Sequence, residues 1–100
     1  MRMLLKFELG LAATNAAVQD GTIAEINERL VATTKPEAAY FGTENGRRTG
    51  YIVFDMVDSA QIPVIAEPLF QRAESKVEFI PVMNADDLQR GLAQAAGGWG

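Results

Sequence analysis

The sequence predicts one α+β domain whose elements run strand, helix, strand, strand, helix, strand, with a further helix at the end. Three observations carry that expectation. Apolar and polar residues alternate over the first ten positions, Asn45-Gly46 marks a hairpin between two strand-like stretches, and helical periodicity fills the segments on either side of that hairpin. A chain of 100 residues, 48% apolar and 22% charged, builds one core and not two domains around a cleft. Residues 1–96 are therefore read as a single domain and 97–100, with Trp99 between glycines, as a flexible tail.

Met3, Leu5, Phe7 and Leu9 make one apolar face of a first strand, with Arg2, Leu4, Lys6 and Glu8 on the other. Thr14 and Asn15 offer a helix N-cap, and Ile23, Ile26, Leu30 and Val31 recur at helical spacing until Pro36 forbids continuation. Asp20-Gly21 weakens the middle of that helix. Ala38 to Thr43 is a short strand. Asn-Gly tolerates the positive φ of a two-residue turn, so Glu44 should face Arg47, Gly42 face Thr49, Tyr40 face Tyr51 and Ala38 face Val53. The third strand then runs to about Val57. Asp58-Ser59 caps a helix carrying Ile62, Ile65, Ala66, Leu69 and Phe70, which Pro68 should kink or split. Val77 to Met83 reads as an edge strand because of Pro81. Asn84 caps the last helix, with Asp86 and Asp87 in its first turn and Leu88, Leu92 and Ala95 along one side.

This order of elements is the split βαβ pattern, with an antiparallel sheet in the order 4-1-3-2. Helices cover one face, where Leu5, Phe7, Ile52 and Phe54 belong. The other face carries Leu4, Lys6, Glu8, Ala38, Tyr40, Gly42, Tyr51, Val53 and Asp55. That set is too apolar to stay wet, so a homodimer, sheet face to sheet face, is expected.

With Gly46-Arg47-Arg48-Thr49-Gly50-Tyr51-Ile52-Val53-Phe54-Asp55, the helix after it, and Val77-Glu78-Phe79-Ile80-Pro81-Val82-Met83, the chain resembles the dimeric α+β barrel superfamily of small ferredoxin-like proteins. Muconolactone isomerase-like, GYD-type and antibiotic-biosynthesis-monooxygenase-like proteins belong to it, and the likeness is to small bacterial members of uncharacterised function. The resemblance covers the element order of residues 1–95 and implies the ferredoxin-like fold and the dimer. The histidine that several relatives employ has no counterpart here, so their catalytic assignments do not transfer.

Cysteine and histidine are both absent, which removes thiolate nucleophiles, disulfides, the usual zinc sites and every histidine-based triad. The net charge is −4, with six basic and six acidic groups in residues 1–50 against three and seven in 51–100. No basic run suits nucleic acid or an anionic membrane, and Met3-Leu4-Leu5 is too short for a signal peptide or a membrane span. A cytoplasmic protein is expected. No cofactor and no metal are expected either: no glycine-rich nucleotide fingerprint exists, Ser59 and Ser75 sit in no nucleophile elbow, and Asp86-Asp87 are explained by capping.

The candidate ligand-binding residues are Lys6, Tyr40, Arg47, Tyr51 and Asp55 on the open face, with Glu8 beside them. Lys6 and Asp55, read as lying on neighbouring parallel strands with the same facing, are expected to form a partly buried ion pair, which either neutralises itself inside the dimer interface or leaves a burial-shifted carboxylate as a general base. Tyr40 and Tyr51 form a cross-strand aromatic pair, which either packs as a sheet stabiliser or offers aromatic faces and hydroxyls to a small aromatic ligand. Arg47-Arg48 either binds a carboxylate or lies solvated with Glu44 as the partner of Arg47. No residue is assigned a catalytic role. Two functions stand open: binding of a small aromatic or apolar organic molecule, with rearrangement or cofactor-free oxidation as its extension, and a non-catalytic dimerisation or protein-interaction module.

Overall fold

The computed structural model describes residues 1–98, so Trp99 and the end of the expected tail lie outside the described residues. The chain folds as β1 (Arg2–Glu8), α1 (Leu11–Asp20), α2 (Thr22–Thr34), β2 (Ala38–Glu44), β3 (Arg47–Asp55), α3 (Gln61–Ala73), β4 (Lys76–Pro81) and α4 (Ala85–Ala95). The four strands form one antiparallel sheet with neighbours in the order β2-β3-β1-β4, which is the row 4-1-3-2 read from its other edge.

The hairpin register follows from the turn. Asn45 and Gly46 hold φ of 54° and 72°, as a type I′ turn requires, and Glu44 faces Arg47, Tyr40 faces Tyr51 and Ala38 faces Val53. The β1–β3 register, Lys6 opposite Tyr51 and Arg2 opposite Asp55, then sets every facing in the sheet. Met3, Leu5, Phe7, Ile52 and Phe54 are buried beneath the helices and pack with Ile26, Leu30, Ile65 and Leu69. Phe79 and Val77 of β4 extend that core, and Pro81 closes β4 at the sheet edge, where its missing N–H leaves no neighbour unpaired.

Three local features depart from expectation and two bear it out. The first helix starts at Leu11, ahead of Thr14 and Asn15, with Gly10 as N-cap and no side-chain cap; Thr14 is buried and donates its hydroxyl to the Gly10 carbonyl instead. At Gly21, φ 82°, the helix breaks into α1 and α2, at the point that Asp20-Gly21 marked as weak. Pro68 does not split α3, which runs unbroken from Gln61 to Ala73: the carbonyl that loses its donor belongs to Val64, an exposed residue. Ala60, not Asp58-Ser59, is the N-cap of α3, while Asp58 accepts from the Ala60 N–H at 2.9 Å. Asn84 caps α4 as expected, in a reciprocal capping box with Asp87.

Candidate functional site

The open sheet face is built by the even-numbered residues of β1 and the odd-numbered ones of β3. Lys6, Tyr51 and Glu44 come together there. The Lys6 ammonium pairs with Glu44 Oε2, and the Tyr51 hydroxyl donates to Glu44 Oε1 at 3.2 Å. The Lys6 hydrogen bond pulls the Glu44 carboxyl below its ordinary range against the opposing effect of burial, and the same bond raises Lys6. Burial, with the Glu44 hydrogen bond second, raises the Tyr51 phenol. Glu8 lies almost buried and accepts from the Asn45 side chain at 2.7 Å. All three groups of the triad are engaged with one another, which makes it a fixed ionic brace and not a free base.

The expected Lys6–Asp55 pair does not form. β1 and β3 are antiparallel, not parallel, so Asp55 lies at the other end of the row, opposite Arg2. Its exposed carboxylate takes the Met1 ammonium at 2.7 Å. Arg47 faces Glu44 in the register, but both carboxylate oxygens of Glu44 are taken by Lys6 and Tyr51. Tyr40 is 71% exposed and stands beside Tyr51 as expected. The structure thus gathers Lys6, Tyr51 and Glu44, keeps Tyr40 at their edge, and separates Asp55 from them.

Among the described residues, cavities border the helices and the hairpin, and the three best formed are lined by none of Tyr40, Tyr51 and Asp55. The one with the most varied chemistry, about 360 Å³, sits between the start of α2 and the helix-facing side of the β2–β3 hairpin. Phe7, Leu9, Ile23 and Phe41 give it apolar walls, and Asn27, Thr43 and Arg48 bring polar groups. Next to it, Phe41 also borders a shallower hollow with Asn27, Glu28, Val31 and Ala32. A third, about 250 Å³, is a groove between α2 and α3 floored by Ile26, Leu30, Ile65 and Leu69, with Arg29 and Arg72 in its lining.

Local structure explains the hairpin cleft. A two-residue turn puts Arg47 and Arg48 on opposite faces, so Arg48 points with Gly50 and Ile52 toward the helices. Gly50 carries no side chain because the Phe7 ring occupies that space. Arg48 Nη1 donates to Thr14 Oγ1 at 2.8 Å and to Asn15 Oδ1 at 3.1 Å, and the Arg48 carbonyl accepts from the Leu9 N–H at 2.8 Å. Both side-chain partners are neutral, and among the described residues no carboxylate pairs with Arg48. A guanidinium held by neutral acceptors keeps its charge and further donors for a carboxylate or sulfonate. Phe41, Ile23 and Asn27 were not singled out from the sequence as ligand contacts, whereas Arg48 was read, together with Arg47, as an anion binder or a solvated cation. The signal for Arg48 was present, since the turn alone places it on the face opposite Arg47.

Among the described residues no cluster of carboxylates is arranged to hold a metal ion, and no helix is long and apolar enough to cross a membrane. No family model, curated protein or solved structure matches this chain.

Proposed function

We propose that the protein binds a small apolar or aromatic organic anion in the cleft between α2 and the β2–β3 hairpin. One observation carries the proposal: a cavity of about 360 Å³ with aromatic and aliphatic walls and a single carboxylate-free guanidinium, Arg48, in its lining. Volume and composition match small-molecule sites, in which apolar walls supply affinity and one or two polar groups fix orientation. The site lies on the opposite side of the sheet from Lys6, Tyr40, Tyr51 and Asp55, so it replaces that cluster as the ligand site proposed here. No general base stands in the lining, and binding rather than turnover is the activity it supports.

The test is titration with 8-anilinonaphthalene-1-sulfonate, an aromatic anion whose fluorescence rises in apolar surroundings. Saturable binding is expected, weakened at least tenfold in Arg48→Met, since a charge-assisted hydrogen bond contributes about 1.5–3 kcal/mol and about 1.4 kcal/mol is tenfold. Arg47→Met, on the other face, should bind as the wild type does. Equal affinity in both variants, or no saturable binding, refutes the proposal.

The open face favours a second, compatible reading, a homodimer closed sheet face to sheet face. Leu4, Tyr40, Tyr51, Val53 and Ile80 make it more apolar than a solvated sheet surface, and Tyr40 and Ile80 are exposed. Sedimentation equilibrium at micromolar concentration tests it, a monomer refuting it.

A further inference from the structure

The last helix is unlike the others. None of its residues is buried, and the molecule measures 57 × 27 × 20 Å with a radius of gyration of 16.3 Å, against about 13 Å for a compact domain of this length. Yet α4 is strongly amphipathic: Ala85, Leu88, Leu92 and Ala95 share one side, and Asp86, Asp87, Arg90 and Gln94 the other. Its orientation is fixed at the root. Asp87 Oδ2 accepts from Arg2 Nη1 at 3.3 Å, and the Val82 N–H donates to the Arg2 carbonyl at 3.2 Å. Residue 87 lies about 100° around the helix from 88 and about 140° from 92, so anchoring the Asp87 edge turns the leucines away from the domain. Leu88 is 44% and Leu92 59% exposed.

We infer that α4 is a dimerisation arm, which lays its Leu88–Leu92–Ala95 stripe on the open sheet face of a second copy of this chain. The inference rests on the face-to-face dimer proposed above and names the element that completes it. Area points to a second copy as occupant. Four strands about 4.8 Å apart and about six residues of 3.3 Å long give a flat footprint near 380 Å², about half of the roughly 800 Å² per partner of a stable complex. An arm about 16 Å long from each copy supplies the remainder. Charge agrees. Arg2 is paired with Glu37, Lys6 with Glu44, Lys76 with Glu78 and Asp55 with the Met1 ammonium. Two such faces therefore meet without a field of one sign between them. Both uncovered surfaces also begin at the same residue, Arg2, which faces the open side of β1 and anchors α4.

Sedimentation equilibrium of the full chain, of Leu88→Asp/Leu92→Asp and of Val57→Asp decides it. Val57 is exposed beyond the end of β3 and in neither β3 nor α4, and it controls for added charge. The wild type and Val57→Asp are expected to dimerise alike, and the α4 variant to dissociate at least tenfold more readily with the rest of its secondary structure intact by circular dichroism. A wild-type dimer that persists unweakened in the α4 variant overturns the arm while leaving the face-to-face dimer standing. A monomeric wild type overturns both and assigns the stripe to a different protein.

Discussion

Gly50→Ala is the substitution that probes the centre of the structure most sharply. An added Cβ would stand 2.5 and 2.6 Å from the Phe7 Cε2 and Cε1 atoms, closer than van der Waals contact permits. Phe7 is almost fully buried against Leu5, Ile52 and the helices, so its ring has one way to move, into the hairpin cleft that it lines. Overpacking of this kind costs about 1–3 kcal/mol. With a urea m-value of about 1–3 kcal/mol/M, the unfolding midpoint falls by about 1 M. The displaced ring also consumes cleft volume, so the fluorescent probe should bind more weakly. Gly42→Ala is the matched control in the neighbouring strand: its added Cβ meets nothing within 4 Å, and its stability should stay within about 0.5 kcal/mol of wild type. Equal midpoints for the two variants would refute the packing described here.

Two further outcomes follow from the hydrogen bonds. Thr14→Val keeps the shape of a fully buried side chain but removes the acceptor of Arg48 and a donor to the Gly10 carbonyl; a loss of about 1–3 kcal/mol is expected by urea unfolding, together with weaker probe binding as Arg48 loses its support. Glu44→Gln tests the brace through pH. Because Lys6 holds the folded Glu44 carboxyl below its ordinary range, its contribution is complete above the unfolded value near 4.3 and is lost as pH falls through the lowered folded one. The stability gap between wild type and Glu44→Gln should thus narrow as pH falls below the unfolded value near 4.3 and on through the lowered folded one, and a constant gap would count against the pairing.

Where backbone chemistry decides, the fold was legible in the sequence. Asn45-Gly46 determined the hairpin register, the alternation in β1 determined its buried face, and Pro81 marked an edge. What was not legible depends on distances between elements. Lys6 passes over its cross-strand neighbour Tyr51 to reach Glu44 on β2, a choice made by the length of the lysine stem, and Asp55 is left to the chain terminus because the strands run antiparallel. The carbonyl that Pro68 frees in α3 belongs to an exposed residue, which local sequence does not reveal. The hairpin cleft arises from how α2 sits over β2 and β3, so its volume has no sequence signature, although the facing of Arg48 did. The amphipathic pattern of α4 was plain, but a stripe of leucines reads as core until the structure turns it outward.

The proposed ligand site lies beside Arg48 on the helix-covered side of the hairpin. Amide chemical-shift mapping with 8-anilinonaphthalene-1-sulfonate tests it most directly. Shifts are expected to concentrate at Phe7, Ile23, Asn27, Phe41, Arg48 and Gly50 and to need at least tenfold more probe in Arg48→Met. Shifts centred on Tyr40, Tyr51 and Lys6, or on the groove between α2 and α3, would contradict it.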